Sequence, residues 1–153
     1  MEIKVLPRCE LVDLIKDHHI NEPCIVIAIW GTDEKNVFSF QRLNSKITDE
    51  LILSFDDVDG HCTGCTPIDE VQAYKIVDFV KRNMDKVDLI YVSCAGGYSR
   101  SPAIAAALSL WFNGSDKEYF DSRKYCPNML VYRTMLNVLD GGDIRLARKK
   151  EER

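Results

Sequence analysis

Basic charge is in short supply in this chain: 20 Lys and Arg stand against 24 Asp and Glu over 153 residues, a net charge of −4. A dedicated nucleic-acid surface normally shows a basic excess, so nucleic acid is not an expected partner. No apolar run approaches the roughly 18 residues a membrane span requires, and Met1-Glu2-Ile3-Lys4-Val5-Leu6 lacks the apolar core and cleavage signal of a secretory peptide. The expectation is a cytoplasmic protein without membrane contact. Histidine is equally sparse, with 3 residues, and no metal-ligand pattern accompanies His18 and His19, which read as surface residues after a short amphipathic stretch. Repeats, low-complexity stretches and linker-like breaks are missing too, which leaves one domain over residues 1–147 and a charged tail over 148–153.

With 46% hydrophobic and 29% charged residues, the chain has the material for a single good core. Its 6 cysteines suit a reducing compartment if one of them must act as a thiol. Apolar runs rich in β-branched and aromatic residues mark strands at Ile3–Leu6, Cys24–Trp30, Val37–Phe40, Leu51–Phe55 and Leu89–Val92. Helical signals alternate with them. Thr66-Pro67 reads as N-cap and first helical position, with Ala73, Val77, Val80 and Met84 at helical spacings behind it. Ser115 and Glu118 read as a capping box, and Pro127 as the opening of a helix that stops at Gly141-Gly142. Such alternation predicts an α/β fold: a mostly parallel central sheet flanked by helices, with the functional loop at strand C-termini.

Eight residues carry most of the chemistry: Cys94-Ala95-Gly96-Gly97-Tyr98-Ser99-Arg100-Ser101. The strand Leu89–Val92 delivers Cys94, and from Pro102 a helix runs to Asn113-Gly114. A loop at a helix N-terminus offers inward-pointing N–H groups without intrahelical partners, so Ala95, Gly96, Gly97, Tyr98 and Ser99 form a candidate phosphate cradle. Gly96 and Gly97 let the backbone curl. The field that attracts phosphate also favours the thiolate, which makes Cys94 a candidate nucleophile. Arg100 supplies a planar fork for two phosphoryl oxygens and tightens as charge redistributes in the transition state. Ser101, next to the loop, is placed to donate to the sulfur as it leaves a phosphoryl-cysteine.

These eight residues, with a strand before and a helix after, resemble the signature of the cysteine-dependent protein tyrosine phosphatase superfamily, in its compact dual-specificity-like, bacterial-type branch. Low-molecular-weight phosphatases carry a similar loop near the N-terminus, whereas here it lies in the second half. The resemblance implies an α/β phosphatase fold, hydrolysis of phosphate monoesters through a phosphoryl-cysteine intermediate, and no cofactor or metal. It further implies an aspartate on a loop after an earlier strand as proton donor to the leaving oxygen. Asp57 in Phe55-Asp56-Asp57-Val58 matches that pattern best, with Asp56 and Asp59 as alternatives and solvation or capping as the plain reading of all three. One position departs from the family, because Ser93 stands where a histidine usually precedes the nucleophile. A serine cannot carry charge, and the consequence is slower turnover or a binding relative with weak catalysis. Asn128 is placed by weak analogy as a residue orienting the attacking water.

The residues between Cys94 and Arg100 are uncharged, unlike loops directed at phosphoinositides or RNA, which favours a phosphorylated protein or aryl phosphate substrate. Tyr98 either forms part of the pocket wall or packs. Cys62-Thr63-Gly64-Cys65 lacks the roughly four ligands of a zinc site, having only His61 nearby. A reversible disulfide from Cys62 or Cys65 to Cys94 is its sharper reading, while Cys9, Cys24 and Cys126 look structural. Two other functions fit a cysteine in an anion-cradling loop: a phosphopeptide-binding module and a rhodanese-like sulfurtransferase, which has no use for Asp57.

Overall fold

Alternate residues of the strand Cys24–Trp30 (β2) enter two different cores, and that alternation sets the architecture. Ile25, Ile27 and Ile29 face one cluster, while Cys24, Val26, Ala28 and Trp30 face the other, and all seven are buried. Apolar residues on both faces make an interior strand covered by helices on each side. The structure, a computed structural model, describes residues 1–139; the helix stop expected at Gly141-Gly142 and the charged tail over 148–153 lie outside them.

Among the described residues the sheet has four strands, β1 (Glu2–Pro7), β2, β3 (Ile47–Ser54) and β4 (Leu89–Cys94), in the order β1-β4-β2-β3. Every pairing is parallel, so the expected mostly parallel sheet is wholly parallel. Helix α1 (Arg8–Lys16) packs Leu11 and Ile15 on the smaller core. Helices α2 (Glu70–Asn83), α3 (Arg100–Asn113), α4 (Lys117–Asp121) and α5 (Met129–Leu139) serve the larger one. β4 lies inside the sheet, and its last residue is Cys94. Helix α3 is buried from Ser101 to Leu110, with Ala103, Ala105, Ala106 and Ala107 letting its neighbours approach, and Gly114 ends it in the left-handed conformation at φ 75. No described helix is long and apolar enough to cross a membrane.

Several local expectations are corrected. Residues 37–40 form no strand, because Glu50 of β3 accepts from Ser39 Oγ at 2.6 Å and Phe40 N–H at 2.7 Å in place of ladder bonds. Phe38 instead stands edge-on to Trp30 and Phe40. Thr66 does not cap α2. Its N–H goes to Asp56 Oδ2, and Asp69 with Gln72 forms the capping box one residue before Glu70. The box expected from Ser115 and Glu118 is not formed, since Ser115 Oγ accepts from Lys117 N–H and Asp116 occupies the N-cap without a side-chain bond to the helix, its carboxylate accepting from the Tyr132 hydroxyl instead. Pro127 does not open α5 either; Asn128 caps it, its Oδ1 accepting from Leu130 and Val131 N–H at 3.0 and 3.1 Å. Of the three cysteines read as structural, Cys24 is buried, and burial first and Glu22 second push its thiol up to about 11, but Cys9 and Cys126 are exposed. His18, exposed at φ 55, takes the left-handed position after α1 usually held by glycine.

Candidate active site

The loop from Cys94 to Arg100 is held against the end of β1. Gly97 has φ 60, and a Cβ there would lie 2.6 Å from Pro7 N and 2.9 Å from the Leu6 carbonyl carbon. Only glycine fits both the conformation and the space. Gly96 has open space around its Cα, so the demand for glycine falls on one of the two positions. The other side of the loop is fastened to the segment before α5, where Cys126 N–H donates to Tyr98 O at 2.9 Å and Asn128 N–H to Ser99 O at 3.0 Å. Ala95, Gly96 and Tyr98 are exposed and Ser99 is half-buried. Tyr98, at 54% exposure, does not pack into the core.

Cys94 is 2% exposed at the floor of this loop, with its Sγ 3.0 Å from Ser101 Oγ. Ser101, wholly buried in the first turn of α3, thus meets the one sulfur that sequence reasoning paired it with. Arg100 Nη1 donates to Phe55 O at 3.0 Å, which fixes the plane of the guanidinium. Its Nε is buried and has no partner in the protein. A buried guanidinium nitrogen without an acceptor is costly unless an anion supplies one. Ser99 is the N-cap of α3 but makes no capping bond; its hydroxyl donates to Asp57 Oδ1 at 2.8 Å, so the first turn of α3 receives no side-chain oxygen from its cap.

The carboxylates after β3 separate cleanly. Asp56 accepts from Thr66 N–H at 2.7 Å, Thr32 N–H at 2.9 Å and Thr32 Oγ1 at 2.8 Å, and these bonds, that from Thr66 foremost, hold its carboxyl below the usual range. A group so committed to accepting hydrogen bonds is a poor proton donor. Asp57 instead leans on the loop through Ser99 and accepts from Asn128 Nδ2 at 2.8 Å. Asp59 is exposed and lines the neighbouring cavity.

The expectation for Asn128 changes here. Both Nδ2 hydrogens of Asn128 are used, on Asp57 Oδ1 and Val58 O, and its Oδ1 caps α5, so its amide has no capacity left to orient a water. Its place is as the anchor of Asp57, a role with no sequence signal because the two are joined only by folding. Ser93 Oγ is buried without a partner and so lends no hydrogen bond to the loop in place of the missing histidine. Beside the site lies an open cavity of about 600 Å³ whose lining includes Asp57, Ser99, Cys62, Cys126, Asn128 and Arg133. Among the described residues no group of three or more His, Cys, Asp and Glu side chains is placed to hold a metal ion.

No family model and no curated protein matches the sequence. Solved structures do match the fold. The active form of Tk-PTP covers 90% of this chain and 90% of its own at 12% identity and a TM-score of 0.57. The human tyrosine phosphatase-like serine/threonine/tyrosine-interacting protein matches at 17% identity and TM-score 0.57, over 88% of this chain and 85% of its own. PTPMT1 matches at 17% identity and TM-score 0.55, over 92% and 93%. With a parallel sheet, an interior strand ending in Cys94 and a loop opening a buried helix, the chain has the fold of the compact, dual-specificity-like cysteine-dependent tyrosine phosphatases.

Proposed function

We propose that this protein is a cysteine-dependent phosphatase that hydrolyses phosphate monoesters of proteins or aryl alcohols through a phosphoryl-cysteine intermediate. The observation that carries the reading is Arg100, at the end of the loop that Cys94 begins: one nitrogen is fixed on Phe55 O while Nε is buried without an acceptor. A phosphoryl group seated in the loop gives that nitrogen its acceptor, and the N–H groups at the start of α3 bind the other oxygens. The Cys94 thiolate attacks phosphorus, the phosphorus–oxygen ester bond breaks, and Asp57 passes a proton to the departing oxygen. Water then attacks the phosphoryl-cysteine, giving a proton back to Asp57, while Ser101 donates to the leaving sulfur.

The uncharged residues 95–99 add no cationic attraction for a polyanionic headgroup, which favours phosphoprotein. A binding module is the second reading, supported by the unpartnered Ser93 hydroxyl at the position where a charged histidine is expected. Acid quenching during turnover of a phosphotyrosyl peptide separates the two. The phosphatase reading expects the Cys94 peptide to carry one phosphoryl group. Peptide binding with neither turnover nor phosphorylated Cys94 overturns it in favour of the module.

A further inference from the structure

After Asp57 the chain makes a closed excursion before α2. Its ends are pinned, since Asp56 N–H donates to Thr66 O and Thr66 N–H to Asp56 Oδ2, both at 2.7 Å. Within it, Cys65 N–H donates to Cys62 O at 3.2 Å and Gly64 has φ 80. Cys62-Thr63-Gly64-Cys65 is therefore a β-turn with glycine where a type II turn requires positive φ. Such a turn holds its first and fourth Cα within about 7 Å, and disulfides bridge Cα separations of roughly 4.4–6.8 Å. The Cys62 thiol donates to Thr63 O at 3.8 Å inside the turn, and the neighbouring Cys62 thiol, more than burial, pushes the Cys65 thiol up. Both cysteines are partly exposed, and Cys62 lines the open cavity shared with Asp57. Cys94 is 2% exposed and its sulfur is engaged by Ser101.

We propose that Cys62 and Cys65 are a redox-active dithiol that closes to a disulfide within this loop when a hydroperoxide enters the cavity. The Cys62 thiolate attacks one peroxide oxygen, the O–O bond breaks, and an alcohol or water leaves with the proton. The Cys65 thiolate then attacks the sulfenic sulfur and expels hydroxide, which leaves as water, so one peroxide is reduced and two thiols are oxidised. A dithiol reverses the bond by exchange. The pair takes the place of the disulfide to Cys94 expected from the sequence, because each thiol already has the other as its neighbour. Oxidation then marks the loop that carries Asp57 and spares the phosphate cradle.

The test treats the reduced full chain with stoichiometric hydrogen peroxide, alkylates it under denaturing conditions and maps the peptides. The expected result is loss of two hydrogens, a bridge between Cys62 and Cys65, reversal by dithiothreitol, and full alkylation of Cys94 and Cys126. In Cys65→Ser the expected result is Cys62 captured by dimedone at several times the parent's level, because no thiol resolves its sulfenic acid. A bridge from Cys62 or Cys65 to Cys94 or Cys126, or both cysteines alkylated while Cys94 is oxidised, overturns the proposal. The readout is mass, so it stands or falls independently of phosphatase turnover.

Discussion

Asn128 donates to Asp57 Oδ1 at 2.8 Å, tying the start of α5 to the carboxylate that overhangs the Cys94 loop. The same amide caps α5 through Oδ1, and substitution separates the two tasks. Asn128→Ala loses both, at about 1 kcal/mol for the cap. Asn128→Ser keeps a capping oxygen but is too short for Asp57. Both variants are expected to lower turnover by on the order of 10–100-fold, more for phosphotyrosine than for para-nitrophenyl phosphate, whose leaving group needs less protonation. Parent-like turnover in Asn128→Ser, measured beside its melting temperature, would show that capping alone matters.

Gly97 and Gly96 are adjacent and are expected to behave oppositely. Gly97→Ala forces a left-handed alanine, at about 1–2 kcal/mol, and drives its Cβ into Pro7, so vanadate binding is lost. Gly96→Ala meets open space and changes stability by no more than about 0.5 kcal/mol. Vanadate titration of the two variants checks the pair; equal affinities would refute the claim that contact with β1 shapes the loop.

The Cys94 to Ser101 contact at 3.0 Å predicts which step Ser101 serves. A hydrogen bond to a charged group is worth about 1.5–3 kcal/mol, or roughly 10–100-fold in rate. Ser101→Ala is expected to slow breakdown of the phosphoryl-cysteine by that factor, so a burst of aryl alcohol precedes a slow steady state. A burst-free variant with normal turnover would leave the hydroxyl without a part in that step.

Acid should loosen the shell around the site. The Arg8 guanidinium foremost, with Gly31 N–H, holds the Glu34 carboxyl below its ordinary value. The folded state binds its proton less readily than the unfolded chain, so this contribution is fully present above the ordinary glutamate pKa of about 4.3 and is lost as pH falls through the lower folded value. Asp56 adds in the same sense. Thermal unfolding from pH 7 downward is expected to steepen below about pH 4, and Glu34→Gln to flatten that decline. An unchanged decline in Glu34→Gln would show that its pairing with Arg8 has no part in acid stability.

The loop from Cys94 to Ser101 is legible as a strand-to-helix connection because its pattern is contiguous: Cys94 ends a strand, Arg100 and Ser101 open a helix, and Gly97 lies between. Asp57 is preferred in the sequence only by the resemblance of its flanks, with Asp56 and Asp59 as alternatives, and what separates the three in the fold is tertiary. Thr32 and Thr66 claim Asp56, while Ser99 and Asn128 turn Asp57 toward the loop. The helix starts misplaced at Thr66 and Pro127 share one cause. Both carry good local signals, but Asp69 and Asn128 present better placed oxygens for α2 and α5. Phe38 and Phe40 carry strand propensity, and the Glu50 side chain overrides it.

The most direct measurement is hydrolysis of para-nitrophenyl phosphate under reducing, chelator-containing conditions by the parent, Cys94→Ser and Asp57→Asn. The account predicts turnover in the parent, none in Cys94→Ser, and a marked loss in Asp57→Asn with vanadate affinity retained. An inactive parent that still binds vanadate, or turnover that survives in Cys94→Ser, would contradict it.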